Sequence, residues 1–555
     1  MVRSEGRRRS DPLNFLLLTM LLAQDSLRFR NVAEDAGVAR SLTYGGIDEK
    51  RYILETTGTG AAFLDYDEDG DLDLFVVDGR RLEGVPEGAS NRLYRNAGEG
   101  RFVDVTEASG LSRQGWGQGA AFSDVDNDGD SDLLVTYFGA ALLYRNRGDG
   151  TFVECGEASG LSQKGWHTSA AFADYDADGF DDLFIARYVD FDPKSTPEPG
   201  GAPNCFFMGI AVMCGPKGLP PARSVLYRNR GDFTFEDVSQ RAGVGVNPEY
   251  GLGAVWSDLD DDGDVDLYTA NDQSGHNLYR NDGKGRFQDT ALADGVAFNE
   301  DGRSQAGMGV DAGDYDNDGL FDLHVTNFSH DYNTLYQNSG AGYFLDVSFA
   351  SGVAEPSYLF LGWGSGFQDF DRDGFLDIFV ANGHVYPEVA REEIESDYAQ
   401  RSLLFRNLGD GRFAELGEGA GLLEPLAGRG VAFGDFDDDG DVDAFVTQMN
   451  GKPALYRNET VTSRHWIGLR LVGRKSARDA LGAKVTVVSG ELSQIREVRS
   501  GASYLSQSDS RVFFGLGAHE RVDRIEIRWP TGTVQKIPTP AIAALDRYVL
   551  VVEEF

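Results

Sequence analysis

The sequence predicts an all-β protein: a seven-bladed β-propeller followed by a small C-terminal β-sandwich-like domain. Three observations lead there. A nine-residue acidic loop recurs seven times, at intervals of 50 to 84 residues. Each copy sits in a unit of four short apolar runs separated by turn signals. Past Asn458 the repeat stops, and a different β-rich texture continues to Phe555.

The loop comes first, because it sets the chemistry. Its first copy is DYDEDGDLD, and Asp stands at positions one, three, five and nine in all seven. These are Asp65, Asp67, Asp69 and Asp73; Asp124, Asp126, Asp128 and Asp132; Asp174, Asp176, Asp178 and Asp182; and Asp258, Asp260, Asp262 and Asp266. The last three sets are Asp314, Asp316, Asp318 and Asp322; Asp369, Asp371, Asp373 and Asp377; and Asp435, Asp437, Asp439 and Asp443. Position six is always Gly, whereas position seven varies through Asp71, Asp130, Phe180, Asp264, Leu320, Phe375 and Asp441. A merely solvated acidic loop would not fix four positions and free the seventh. A hard cation does so, with side-chain oxygens at one, three, five and nine and a backbone carbonyl at seven. Oxygen-only ligation favours calcium over zinc or copper, and up to seven Ca2+ ions are expected. An EF-hand would need Glu at position twelve, where the first copy has Val76, and each loop runs into a strand rather than a helix. Seven equivalent catalytic centres with no added base or nucleophile are not an enzyme's pattern, so the loops read as structural.

The blades follow. Upstream of each loop is an apolar strand such as GTGAAFLD or GQGAAFSD; downstream is a run such as DLFVVD or DLHVTN. A segment of the LYRN type, a Gly-rich turn and a strand like RFVDVTEASGL complete each unit. Seven such units close radially and hide their edge strands. The seventh unit, from Gly430, ends at Asn458 without its fourth strand, and an orphan fourth strand, LRFRNVAEDAGV, lies at Leu27 to Val38. The N-terminus is therefore expected to complete the last blade.

This gives an expected division into 1–24, a signal peptide; 25–460, the propeller; and 461–555, the C-terminal β domain. Arg3, Arg7, Arg8 and Arg9 precede an apolar run, Leu13 to Ala23, of signal-peptide length and too short to span a bilayer. No other stretch is a transmembrane candidate. A secreted, extracellular or periplasmic location is expected. The net charge of −39 repels nucleic acid and anionic membrane surfaces. Of three cysteines, Cys205 and Cys214 lie nine apart in a Pro/Gly-rich insert. An oxidising compartment would pair them, and two buried thiols are the alternative.

The D-x-D-x-D-G-x-x-D loops with their preceding G-x-G strands resemble FG-GAP repeats, also described as VCBS-type repeats, such as those of integrin α-subunit propellers. The stretches HWIGLRLVGRKSARDALGAKVTVVSG, SGASYLSQSDSRVFFGLG and VDRIEIRWPTGTVQKI are similar to the ASPIC/UnbV domain. The combination resembles the cartilage acidic protein family. That resemblance implies a secreted calcium-binding protein and no established chemistry.

If the acidic loops join strands one and two, they lie on one face of the ring. The two long inserts, near Arg187 to Arg223 and Asn382 to Arg401, then leave from the opposite face, where binding is expected. Strand-end positions there include Arg187, Asn271, Asn327 and Asn382, and Trp363, His384 and Tyr386 read as aromatics exposed beside a polar loop. His276, His330 and His384 share no zinc spacing and read as surface histidines. RGD at Arg147 and at Arg230 continues a local turn pattern, and NFS at Asn327 and NET at Asn458 are glycosylation acceptors only in a eukaryotic host. The leading reading is a binding or adhesion module for an extracellular protein or carbohydrate. The alternative is a carbohydrate-active enzyme, a polysaccharide lyase or hydrolase. It would need an acid and a base converging in one pocket, such as Asp272 with His276 or His384 with Glu388.

Overall fold

The computed structural model describes residues 27–340, 342–391, 394–538 and 544–554. The signal-peptide reading of 1–24 lies outside the described residues. Each acidic loop closes an antiparallel hairpin, as between Ala61–Leu64 and Asp73–Val76, where Leu64 pairs with Asp73. The LYRN segment is the third strand, Arg92–Asn96, and the fourth is Phe102–Asp104. This four-stranded order repeats in seven arrays among the described residues, with blades two and three joined where Lys164–Trp166 pairs with Phe138–Ala140. The innermost strand of each array packs against that of the next, and the strand Gly428–Gly434 of the seventh packs against Ala61–Leu64 of the first. The ring is therefore closed. Its closure uses the N-terminus as expected: Phe29–Asn31 is the outer strand of blade seven, with Phe29 opposite Asn458.

The second glycine of each G-x-G lets the inner strands crowd the ring's centre. A Cβ on Gly309 would lie 2.1 Å from the Trp363 carbonyl oxygen of the next blade. One on Gly60 would lie 1.6 Å from the carbonyl oxygen of Leu505, which belongs to the C-terminal region.

That region forms two sheets. One contains Val512–Gly517, His465–Val472 and Tyr548–Val552; the other contains Leu492–Glu497, Lys484–Ser489, Arg524–Arg528 and Val534–Ile537. Ile467, Leu469, Val485, Val487, Phe514, Ile525 and Ile527 fill the space between them. The link between strands Leu492–Glu497 and Val512–Gly517 does not stay in the sandwich. It enters the centre of the ring, where Gln507 pairs with Ala62 and Ser503 with Val310. The Leu505 carbonyl accepts the Ala120 N–H at 3.1 Å. At its tip Tyr504 is fully buried, bonded through its hydroxyl to the Thr57 carbonyl at 3.0 Å and lying 4.8 Å from the Trp363 ring. Ala502, Ser503 and Leu505 take left-handed φ values of 69°, 55° and 55°, a costly geometry for non-glycine residues that the surrounding inner strands hold in place.

Candidate metal centres and the two faces of the ring

Each acidic loop is folded by its own carboxylates. In the second copy Asp124 accepts the N–H groups of Asp128 at 2.9 Å and Gly129 at 2.8 Å, and Asp128 accepts that of Asp130 at 3.1 Å. Asp132 accepts the Val125 N–H at 3.2 Å and the Asn146 N–H at 2.8 Å. Gly129 has φ +108°, which only glycine adopts readily, and accounts for the invariant sixth position. Carboxylates of positions one, three and nine converge within 4.8 Å in several copies, including Asp65, Asp67 and Asp73 and Asp124, Asp126 and Asp132. One oxygen each of Asp67, Asp126, Asp176, Asp260 and Asp437, all at position three, is buried without a hydrogen-bond partner. A donor set of hard oxygens with orphaned members fits a hard divalent cation. Burial pushes Asp73 and Asp132 up to about 8 and Asp124 and Asp174 up to about 7. Carboxylates crowded in this way take up protons unless a cation offsets their charge. The remaining predicted ligands, from Asp69 and Asp71 to Asp441 and Asp443, sit in the same hairpin turns.

The LYRN segments supply two features that the sequence reading missed. Their arginine reaches the loop: Arg145 meets Asp126 at 2.5 Å, Arg228 meets Asp176 at 2.7 Å and Arg406 meets Asp371 at 2.7 Å. In blade five Gln337 takes this place, donating to Asp316 at 2.6 Å. The asparagine is a latch between blades. Asn146 donates to Ser131 in its own loop at 3.2 Å and to Tyr66 in the preceding blade's loop at 2.8 Å. Asn229, Asn281, Asn338 and Asn407 repeat the pattern, and Asn96 reaches Phe436 across the ring's closure. Asparagine at that position in every copy was the available signal.

The C-terminal region lies on this loop-bearing face and meets it with cations. Arg470 contacts Asp65 at 3.4 Å, Arg478 contacts Asp124 at 3.5 Å and Lys484 contacts Asp261 at 2.8 Å. Arg528 pairs with Asp258, Arg464 with Asp371 at 3.0 Å, and Arg511 with Asp438 at 2.9 Å. The Tyr548 hydroxyl donates to Asp435 at 2.9 Å.

The opposite face carries both inserts, and Cys205 and Cys214 are disulfide-bonded there. The ligand candidates, however, are not an exposed surface. Asn271, Asn327 and Asn382 are buried, and their amides hold the turns after strand two by donating to Gly275, Tyr332 and Arg401. Arg187 is half-buried and donates to the Lys164 carbonyl. Trp363 is buried against Tyr504 and under the Arg429 guanidinium, 4.3 Å from its ring centroid. Expected as exposed aromatics, His384 and Tyr386 are buried because the blade-three insert folds over them, placing Phe207 5.0 Å from the first ring and 5.5 Å from the second. His276 is buried as well, accepting the Asn271 N–H through Nδ1, so the surface reading is corrected for His276 and His384, while His330 is half-buried. Neither anticipated acid–base pair is hydrogen-bonded: Asp272 accepts the Tyr188 hydroxyl, and His384 bonds Ser329 and the Tyr386 N–H. The glycosylation candidates Asn327 and Asn458 are each 1% exposed, with their amides committed. Exposed on this face instead are Phe206 and Met208, at the tip of the disulfide-closed hairpin.

The chain matches the FG-GAP-like repeat over residues 65–135, 124–185, 258–325, 314–380 and 369–446, together more than half its length, and the ASPIC and UnbV domain over 473–554. It is 28% identical to cartilage acidic protein 1 of Mus musculus over 311 residues, 55% of this chain and 45% of that protein. The Homo sapiens protein of the same name is 28% identical over 312 residues, 55% of this chain and 44% of the relative. The match thus spans less than half the length of these relatives. Similar solved structures include the BP39L lectin from Burkholderia pseudomallei, at 11% identity and a TM-score of 0.44, covering 73% of this chain and 98% of the lectin. A lectin of Agrocybe aegerita that recognises non-reducing terminal N-acetylglucosamine has 16% identity and a TM-score of 0.36, covering 71% of this chain and 87% of the lectin.

Proposed function

The chain belongs to the FG-GAP-like repeat family and carries an ASPIC and UnbV domain, and from that premise we propose that it is a secreted, calcium-rigidified binding module. Its partner is an extracellular protein or glycan engaged by the insert-bearing face. One observation carries this reading: the C-terminal region occupies the acidic-loop face, while the opposite face carries the two inserts that break the repeat. Bound calcium would neutralise the carboxylates of each loop and tie strands one and two of each blade together; the orphaned position-three oxygens support it. The disulfide supports an oxidising location. No helix among the described residues is long and apolar enough to cross a membrane. We place the propeller at 25–460 and the C-terminal domain at 461–555.

The test is a screen of the full chain against glycans and secreted proteins, with calcium and with chelator, followed by cross-linking of any captured partner. Calcium-dependent capture is expected, with cross-links on the inserts between 188 and 224 and between 383 and 402. Cross-links confined to residues 465–554 would move the binding site to the other face.

A further inference from the structure

The insert-bearing face contains a carboxylate that its surroundings leave half satisfied. Asp272, just past the strand Asp266–Asn271, is 9% exposed. One oxygen accepts the Tyr188 hydroxyl; the other is buried with no hydrogen-bond partner. Asp272 lines a cavity of about 30 Å3 together with the rings of Tyr188, Phe328 and Tyr386 and the apolar side chains of Met213, Leu252 and Met308. Part of the wall, Met213 with Gly215 and Pro216, comes from the insert on either side of Cys214, which the disulfide ties back to Cys205.

We propose that this cavity binds a primary alkylammonium group, the head of a lysine side chain presented by the partner. The inference rests on the reading of this face as the binding face and names the chemistry it selects. A buried carboxylate oxygen without a donor calls for a cation. The cavity has room for an amine head rather than a whole metabolite. Aromatic rings beside a carboxylate attract a cation, and the Leu and Met side chains suit its methylene stem. The polar wall besides Asp272 includes the Gln273 side chain and the Thr56 and Thr57 hydroxyls, and these hydroxyls are already bonded, to Ile53 and to Gln118. Around Asp272 stand the phenols of Tyr188, Tyr250, Tyr386 and Tyr504 and one cation, Lys217, which lowers its proton affinity without forming an ion pair with it. Burial pushes Asp272 up to about 6, so it is ionised above that pH.

The experiment titrates n-butylammonium, with n-butanol as the neutral isostere, into the full calcium-loaded chain and into Asp272→Asn, whose calcium-dependent melt serves as the folding control. Saturable binding of the amine is expected, about tenfold or more weaker for the alcohol and for Asp272→Asn. Amine affinity should fall about tenfold from about pH 7 to about pH 5, as Asp272 takes up its proton near 6. Equal binding of amine and alcohol, or of wild type and Asp272→Asn, overturns the proposal. Lys217→Ala should bind as wild type does; if that variant alone binds the amine, the chain's own lysine fills the cavity and the proposal falls. A captured partner should lose affinity when its lysines are acetylated. Capture on this face that Asp272→Asn leaves unchanged would remove the amine site and keep the binding reading. Asp272-dependent amine binding with no partner captured would do the reverse.

Discussion

The two faces of the ring are built from the same seven repeats and held together by different forces. On the loop-bearing face the ordering agents are charges: crowded carboxylates, an arginine from most third strands, and cations from the C-terminal region. On the insert-bearing face they are rings and a disulfide, with Phe207, Phe328 and Tyr386 packed around the His384 ring and the Arg429 guanidinium over the Trp363 ring. Repetition suits the first task, because one ion chemistry serves every blade. Discrimination between partners needs positions that differ, and those lie where the inserts break the repeat. On the proposed function the two faces divide the work, with stability on the loop-bearing face and recognition on the insert-bearing face, and the predictions below probe that division.

Calcium removal should have the largest effect. One site held at 100-fold excess over its Kd stabilises the folded state by about 2.7 kcal/mol, and several sites act together. Chelation should therefore lower Tm by on the order of 10 °C or more in calorimetry, with recovery on adding calcium. An unchanged midpoint would remove the metal from the loop-bearing face. The pH dependence sharpens the point. Burial raises Asp73, Asp132 and Asp266 to about 8 in the folded, metal-free protein, above the ordinary value of about 3.9. Between those values the native state binds more protons than the unfolded chain, so metal-free stability falls as pH rises. The chelated protein should melt higher at about pH 5 than at about pH 8, and calcium should abolish that order because the ion holds the carboxylates ionised.

Tyr504→Ala comes next. It empties a fully buried site between Trp363 and Thr57 and should cost about 3–5 kcal/mol. Because Tyr504 is the tip of the link that enters the ring, protease sensitivity should rise over residues 465–554 before it rises in the blades. Loss of all elements together would show that the C-terminal region is part of the ring's own folding unit. A smaller effect is expected from Asn146→Ala, which leaves the Tyr66 and Ser131 carbonyls without their donor and should cost about 1–3 kcal/mol. Its signature is faster hydrogen exchange at the junction of blades one and two, with the insert-bearing face unchanged.

The acidic loops were legible because seven copies serve as an internal alignment: four fixed aspartates, a fixed glycine and a free seventh position point to clustered carboxylate donors, which converge in several copies. The closing strand was legible for the same reason, since Leu27 to Val38 has a fourth strand's texture and the last blade lacks one. The latch was visible as an invariant asparagine but not as a latch, because its second partner lies in the preceding blade. The entry of residues 499–511 into the ring had no local signal; it joins a C-terminal loop to inner strands hundreds of residues away. The burial of His384 and Tyr386 was hidden too. It depends on how an irregular insert folds back, with only the short strands Phe206–Phe207 and Ile210–Ala211 to order it, and period and propensity say little about such a segment.

The smallest effect on stability should come from an exposed apolar pair on the insert-bearing face. Phe206 is 50% and Met208 56% exposed, at the tip of a hairpin whose base the Cys205–Cys214 bond closes. Their neighbour Phe207 turns inward onto His384 and Tyr386 and supplies the packing. Phe206→Ser with Met208→Ser therefore removes little that the fold uses, and the melt should shift by less than about 0.5 kcal/mol. Exposed side chains on a pinned hairpin are held at little further entropic cost, the circumstance in which a few aromatic and thioether contacts dominate an interface. Capture of the partner should fall at least about tenfold in the double variant, a difference of about 1.4 kcal/mol. The opposite pattern is expected of Asp124→Ala with Asp126→Ala, which lowers the calcium-dependent melt and reaches binding only through disorder of blade two. If the hairpin variant binds like wild type while the loop variant loses binding at an unchanged melt, recognition belongs to the acidic loops and the division between the faces is reversed.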